Sequence, residues 1–139
     1  MPGGIKPYLA GNPKYNAAAG SLDASGNQIV NAPKVSLNVA AQKDFDLAGG
    51  SSFYVRGEYQ YASRTFFDPS NVLANSRGAY GLVHASIGYT PAQGHWSVAL
   101  WGRNLTDKVV RAGYAGGSPP LGHFVTNPRT FGIRINYTH

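Results

Sequence analysis

The sequence predicts an all-β fold class, an antiparallel transmembrane β-barrel fragment built from about five meander strands. Residues 129–139 alternate between apolar and polar side chains, as a strand does when one face meets hydrocarbon and the other meets water. The longest apolar runs are only a few residues, far short of the ~20 residues that a spanning helix needs. Connections also alternate between short and long, which is typical of barrels with short turns on one rim and long loops on the other.

Composition excludes several other classes. A mean hydropathy of -0.24 would suit a soluble domain, but alternating strands hide their hydrophobicity from any average. The 12 basic residues are spread singly, without a stripe that could follow a phosphate backbone, so we expect no nucleic-acid partner. With no cysteine and four histidines that lack ligand spacing, we expect no metal and no cofactor. No catalytic constellation is recognisable either, which argues against an enzyme.

The first half of the chain divides into a loop and two strands. Residues 1–32 are rich in Gly, Asn, Ala and Pro, and we interpret them as a loop segment, the remnant of an outer loop, with the barrel strands in 33–139. Val35, Leu37 and Val39 alternate with polar neighbours and predict a strand over 33–46. After a Gly49-Gly50 turn, a second strand is predicted over 52–65.

Three further strands are predicted in the second half. The third, over 79–90, follows a long polar connection, and the short turn 90–94 leads to the fourth, over 95–109. Trp101 breaks the apolar phase of this fourth strand, and a β-bulge near Gly102 would restore it. A Gly- and Pro-rich loop then precedes a closing strand over 128–138.

The alternation assigns side chains to two faces. Apolar residues should face lipid, and aromatic residues near the short turns should form an interfacial girdle: Phe45, Phe53, Tyr89, Trp96 and Tyr137. The opposite face should line the barrel lumen, and the lumen-facing candidates are Lys34, Arg56, Glu58, His84 and Arg134.

Asn104-Leu-Thr106 and Asn136-Tyr-Thr138 both fit the acceptor pattern for N-glycosylation. The pattern is short, and a bacterial outer membrane does not favour the modification. We instead expect Asn104 and Asp107 to hydrogen-bond the local backbone where the fourth strand leaves its ladder.

Four segments together resemble the C-terminal end of TonB-dependent outer-membrane receptors. They are Leu22-Asp-Ala-Ser-Gly-Asn27, Asn31-Ala-Pro-Lys-Val-Ser-Leu37, Trp101-Gly-Arg-Asn-Leu-Thr-Asp107 and Pro128-Arg-Thr-Phe-Gly132. The resemblance implies a 22-stranded barrel in the bacterial cell outer membrane, occluded by an N-terminal plug domain. It implies import of a scarce ligand such as an iron-siderophore complex, driven by TonB. The implied partners are outer-membrane lipid, the remainder of the barrel, the plug, TonB and the barrel-assembly machinery.

In this family the closing strand carries the assembly signal. The candidate signal residues here are Phe131, Ile133, Ile135, Tyr137 and His139, and the last departs from the usual terminal Phe or Trp. Because the chain shows no plug, no TonB box and no secretory signal, we expect it to be the tail of a longer protein. Two alternatives stay open: a truncated structural barrel fragment without transport activity, and a soluble carbohydrate-binding β-sandwich.

Overall fold

The computed structural model describes residues 14–16, 18, 20–115 and 122–138. Apart from a single 3₁₀ turn at Leu73–Asn75, the regular elements of these residues are strands. Among the described residues, no helix is long and apolar enough to cross a membrane. In chain order the strands are β1 (Tyr15–Asn16), β2 (Ser21–Leu22), β3 (Ser36–Asp46), β4 (Ser52–Ala62), β5 (Thr65–Phe66), β6 (Ser76–Arg77), β7 (Tyr80–Thr90), β8 (Trp96–Arg103), β9 (Arg111–Ala115), β10 (Gly122–Val125) and β11 (Thr130–Tyr137).

Five strands form the main sheet, in the order β11-β8-β7-β4-β3, so each pairs with the member of this sheet that precedes or follows it in the chain. This is the predicted antiparallel meander, and the predicted all-β fold class is confirmed. Period-two alternation over eight to eleven residues explains why these segments form strands, since each can present one apolar and one polar face. The remaining strands form three two-stranded hairpins, β1-β2, β5-β6 and β9-β10.

The chain divides into two compact units. The sheet unit comprises residues 36–61, 81–110 and 126–138, and the loop unit comprises the described residues of 14–35, 62–80 and 111–125. Residues 1–13, which belong to the predicted loop segment 1–32, lie outside the described residues, as does His139 of the predicted assembly signal. From Tyr15 onward that predicted loop segment contains the β1-β2 hairpin.

Two short turns connect strands of the sheet unit. The β3-β4 turn contains Gly49 and Gly50 at φ 88 and 86°, and the β7-β8 turn contains Gly94 at φ 69°, conformations that glycine adopts without a Cβ clash. A Cβ atom on Gly50 would lie 3.5 Å from Ala92 Cβ, so the two turns are neighbours. The Thr138 N–H donates to the His95 carbonyl at 2.8 Å, which brings the end of β11 to the same rim.

The register of β8 is regular on both sides. Thr130–Tyr137 pair without interruption with Arg103–Trp96, and Ala85–Tyr89 pair with Gly102–Val98. The predicted bulge near Gly102 is therefore wrong, and Trp101 keeps the face opposite to Leu100. The physical reason is space: Gly132, directly across from Trp101, leaves room for the indole, so the strand accommodates the large ring without a change of phase.

Candidate functional site

The polar face of the sheet contains a depression of about 410 Å³ that we call the arginine depression. Its floor includes the small residues Ser86 and Ala99, from β7 and β8, and its charged and aromatic side chains come from β4, β7, β8 and β11. These side chains are Tyr54, Arg56, Glu58, His84, Trp101, Arg103 and Arg134.

Four of the five predicted lumen-facing residues meet in this depression: Arg56, Glu58, His84 and Arg134. The fifth, Lys34, precedes β3, which begins at Ser36, and belongs to the loop unit. Sequence reasoning did not place Arg103 here, because Trp101 appeared out of phase. If the alternation had been continued without a break through Gly102, Arg103 would have been assigned to the polar face.

Positive charge dominates the depression. Arg56 Nη2 lies 3.7 Å from Glu58 Oε2, and Gln60 Nε2 donates to Glu58 Oε1 at 2.8 Å. Arg103 lies over the Trp101 ring, with 5.7 Å between the guanidinium carbon and the ring centroid. Three guanidinium groups thus face one carboxylate. The formal excess of two positive charges makes this surface complementary to anions.

His84 is oriented by the turn that follows β8. Its Nδ1 accepts the Asn104 backbone N–H at 3.1 Å. A neutral imidazole that accepts at Nδ1 carries its proton at Nε2. His84 therefore adds a hydrogen-bond donor, rather than a further acceptor, to the depression.

The Asn104–Asp107 turn is held by side chain to backbone hydrogen bonds. Asn104, 4% exposed and at φ 50°, accepts from the Lys108 N–H at 2.9 Å and donates to the carbonyls of Lys108 and Asn127 at 3.0 and 3.3 Å. Asp107 Oδ1 accepts the Arg129 N–H at 2.9 Å. This confirms the local backbone-binding role predicted for Asn104, whereas the Asp107 side chain binds a backbone group 22 residues away and not the local backbone. Because the Asn104 amide nitrogen already donates twice, the structure favours that role over glycosylation.

Aromatic rings cover glycines on both faces of the sheet. A Cβ atom on Gly132 would lie 2.5 Å from Trp101 Cε2, and one on Gly88 would lie 2.7 Å from Tyr54 Cζ. On the other face, the Phe131 ring comes within 3.0 Å of a Cβ position on its cross-strand partner Gly102. Each ring thus occupies the space of a missing side chain, a pairing that compensates for glycine in a strand. Tyr54 and Trp101 are held in this way at the edges of the arginine depression.

The opposite face of the sheet is apolar and exposed. Most of its large side chains along β3, β4, β7, β8 and β11 are 37–72% exposed, while Phe53, Val83 and Val98 are half-buried. Among the described residues, only Ala62 and Val110 are buried hydrophobic residues. A soluble β-sandwich would cover such a face with a second sheet. The exposure of these side chains is that of a lipid-facing barrel wall.

The predicted girdle residues gather at the short-turn end of this face. Phe45 and Phe53 stack with ring centroids 4.5 Å apart and an interplanar angle of 8°. Trp96 lies 5.9 Å from Tyr89 between ring centroids and is the cross-strand partner of Tyr137. Of the predicted assembly signal, Phe131, Ile133, Ile135 and Tyr137 lie along β11 as an exposed row on the same face.

The loop unit has a polar interior. Its buried residues are Ala62 and four polar ones: Thr65, Ser70, Asn75 and Ser76. Asn71 and Gln28 exchange hydrogen bonds, because Asn71 Oδ1 accepts the Gln28 N–H at 3.1 Å and Asn71 Nδ2 donates to the Gln28 carbonyl at 3.0 Å. Asn71 therefore acts as a peptide group would in a strand pair. Sequence patterns could not reveal this network, since its partners lie 43 residues apart.

An aspartate at the start of the loop unit has a shifted acidity. Asp23 Oδ1 accepts the Ser25 N–H at 2.9 Å. Hydrogen bonds from the Ser25 side chain and then its backbone, together with the charge of Lys14, lower the pKa of Asp23 below its ordinary value. Elsewhere, the described residues contain no group of three or more His, Cys, Asp or Glu side chains placed to hold a metal ion.

Comparison with known proteins gives two matches. Residues 8–105 match the family model described as TonB dependent receptor-like, beta-barrel. The ferric yersiniabactin uptake receptor FyuA from Yersinia pestis shares the fold, with a TM-score of 0.72 and 20% sequence identity. That match covers 81% of this chain and 17% of the FyuA chain. No curated protein matches the sequence.

TonB-dependent receptors are outer-membrane transporters rather than enzymes, and their family architecture includes a plug domain and an interaction with TonB. A barrel with a lipid-facing apolar surface and a polar lumen accounts for the two faces of the sheet described above. The family model spans more than half of the chain, and the chain belongs to the TonB-dependent receptor β-barrel family.

Proposed function

We propose that this chain supplies five wall strands to a TonB-dependent receptor that imports a scarce ligand, such as an iron-siderophore complex, across the bacterial outer membrane. Its polar face, with Arg56, Glu58, His84 and Arg134, lines the lumen. Lys34, which precedes the first wall strand, is proposed as a further lumen-facing residue. Residues 1–32 contribute an outer loop, and residues 33–139 contribute the C-terminal barrel strands.

One observation carries this proposal: the sheet has an exposed apolar face with aromatic pairs at one end and a charged face behind it. In water, an apolar surface that extends across five strands would drive association. In a bilayer the same surface is satisfied by lipid, and the aromatic rings reach the interface. The short turns then lie on the periplasmic rim, as bacterial barrels place them.

The ligand class rests on two supports. The family transports ligands that are scarce outside the cell, and the similar structure is that of a ferric yersiniabactin uptake receptor. We therefore propose a ferric complex as the ligand, TonB as the energy source, and the plug, the remaining barrel strands and the assembly machinery as protein partners. The assembly machinery recognises the row Phe131, Ile133, Ile135 and Tyr137, with His139 as the final position.

A cysteine scan along β11 tests the membrane placement. The chain has no cysteine, so single cysteines can be introduced at successive positions of Phe131–Tyr137 in the protein expressed from its own gene, after any cysteine outside this chain has been replaced by serine. In isolated outer membranes, a water-soluble maleimide should label positions 132, 134 and 136 and spare 131, 133 and 135. Uniform labelling, or recovery of the protein in the soluble fraction, would overturn the proposal.

Transport is tested separately in cells. Deletion of the gene should abolish growth on the cognate ferric complex under iron limitation, and restoring the gene should restore that growth. A correctly inserted protein whose deletion changes the uptake of no ferric complex would instead support the truncated, transport-inactive barrel.

A further inference from the structure

The hydrogen-bond ladder between β7 and β8 is followed by a turn that a histidine side chain holds in place. The two strands pair regularly as far as Gly102. Beyond this residue, the Leu105 N–H donates to the Val83 carbonyl at 2.9 Å. The Asn104 N–H donates instead to a side chain, His84 Nδ1, at 3.1 Å. The His84 imidazole therefore takes the place of a backbone acceptor where the ladder ends.

Asn104 joins this turn to the segments that follow it. It is only 4% exposed, and its side chain binds the N–H and the carbonyl of Lys108 and the carbonyl of Asn127. Asp107, in the same turn, accepts the Arg129 N–H. A displacement of Asn104 therefore loosens both the turn and its connection to the residues that lead into β11.

The hydrogen bond from Asn104 to His84 can exist in only one charge state of the imidazole. When the neutral ring carries its proton at Nε2, Nδ1 has a free lone pair, whereas an imidazolium carries protons on both nitrogens. Protonation of His84 therefore removes the acceptor and places two N–H donors against each other. Histidine ordinarily changes its charge between about pH 5 and 8, and His84 is half-buried in the arginine depression, within reach of water.

The charged and titratable groups around His84 act on the imidazolium in both directions. Those that line the depression with His84 are Tyr54, Arg56, Glu58, Arg103 and Arg134. The turn contains Asp107, whose Oδ2 lies 3.9 Å from Arg129 Nη2, and the exposed Lys108. Glu58 attracts an imidazolium, and the guanidinium groups repel it. Because guanidinium groups are donors only, none of them can accept the Asn104 N–H once His84 is protonated.

We propose that His84 is a pH-sensitive switch: its neutral imidazole fixes the Asn104–Asp107 turn on β7, and its protonation releases this turn. The stabilisation from the hydrogen bond is fully present while His84 is neutral, and it is lost as the pH falls through the titration of His84. The turn follows β8 at the end opposite the short β7-β8 turn, so the effect is confined to the rim with the long connections. The switch acts within the sheet unit and is independent of which ligand the receptor imports.

The first test follows the protection of the Asn104 amide from hydrogen exchange. The receptor, expressed from its own gene and held in lipid nanodiscs, is labelled with deuterium at several pH values, and the exchange is corrected for the intrinsic rate at each pH. Loss of a single hydrogen bond changes a local opening equilibrium by about tenfold. We therefore expect the protection of the Asn104 amide to fall about tenfold between about pH 8 and about pH 5.

Three variants separate the imidazole from the rest of the depression. His84→Asn retains an acceptor atom at the position of Nδ1 but does not titrate, so the protection should stay high at every pH. His84→Leu removes the acceptor, so the protection should be low at every pH. His95→Asn makes the same change at an exposed histidine in the β7-β8 turn and should preserve the wild-type pH dependence. An equal fall with pH in the wild type and in His84→Asn would overturn the proposal, and so would a wild-type protection that does not change with pH.

A second measurement needs no variant. The C2 hydrogen of histidine exchanges with solvent deuterium at a rate that depends on the charge of the ring, so mass spectrometry of the peptide that contains His84 gives its titration in the wild-type receptor. The protection of the Asn104 amide should fall over the same pH range in which His84 takes up its proton. A His84 that titrates without any change at Asn104, or a loss of protection at a pH where His84 stays neutral, would contradict the switch.

Discussion

Replacement of Ile133 by arginine should destabilise the folded barrel because it places a charge near the middle of the bilayer. Ile133 lies four residues from Tyr137 on the exposed apolar face of β11, and Ile135 lies two residues from it. At ~3.3 Å per residue and a tilt of ~40°, these positions are about 10 and 5 Å below the aromatic girdle. Half of the ~25 Å apolar band is ~12 Å, so Ile133 is close to the midplane and Ile135 is closer to the interface.

The expected free energy cost follows from these depths. An arginine on the lipid face costs ~2 to 4 kcal/mol at the midplane and little near the interface, so Ile133→Arg should cost the full amount and Ile135→Arg about half of it. The assay is urea unfolding of the receptor in lipid vesicles, followed by tryptophan fluorescence and by the heat-modifiable band. Asn136→Arg is the matched control, since it introduces the same charge in the same strand but on the polar face, where Asn136 donates to Ser97 Oγ at 3.2 Å.

Equal destabilisation by Ile133→Arg and Asn136→Arg would refute the assignment of faces. Equal costs for Ile133→Arg and Ile135→Arg would refute the depth scale while leaving the assignment of faces intact.

Three further predictions concern local contacts. Gly132→Ala should displace the Trp101 indole, cost about 1 to 3 kcal/mol in urea unfolding and shift the tryptophan emission, because the new Cβ would lie 2.5 Å from Trp101 Cε2. Asn104→Ala should cost about 2 kcal/mol in the same assay, because buried groups of the turn lose their hydrogen-bond partners. The stabilisation of the turn by the Asp23 carboxylate should be complete above the ordinary carboxyl pKa and be lost as the pH falls through the lowered pKa of Asp23, as followed by amide exchange at Ser25.

Each of these predictions has its own control. Gly57→Ala introduces the same methyl group where nothing lies within 4 Å, and it should be nearly neutral. A cost at Gly57 equal to that at Gly132 would show that backbone entropy, rather than the tryptophan, sets the effect. Asn104→Asp retains the acceptor for the Lys108 N–H and should be milder than Asn104→Ala. Asp23→Asn should remove the pH dependence at Ser25, and a pH dependence that persists in this variant would contradict the role of Asp23.

The five long strands were predictable because alternation over eight to eleven residues has few structural interpretations. The ends of these strands were less predictable. The fourth strand, β8, was expected to continue to residue 109, but it ends at Arg103 because Asn104 adopts a positive φ and its side chain binds the backbone of the turn. Four members of the arginine depression could be assigned from parity alone. Arg103 could not, since the sequence does not reveal that Gly132 makes room for Trp101.

The hydrogen-bonded contacts of the loop unit could not be predicted, for a different reason. The hydrogen bonds between Gln28 and Asn71, and from Asn27 Nδ2 to the Pro69 carbonyl at 2.7 Å, join segments about 40 residues apart. Neither segment has a periodic pattern from which its contact with the other could be predicted. Their Gly, Asn and Pro content indicates turns but does not specify what those turns contact.

The polar interior of the loop unit has a consequence for how this unit can open. When segments that bury aliphatic side chains separate, they expose apolar surface, and the heat capacity increases. The buried side chains here are mainly Thr65, Ser70, Asn75 and Ser76, whose hydrogen bonds water can replace at little net cost. In the described part of this unit, local opening therefore exposes apolar surface only from half-buried side chains such as Phe66 and Phe67, and closure depends mainly on the geometry of the hydrogen bonds.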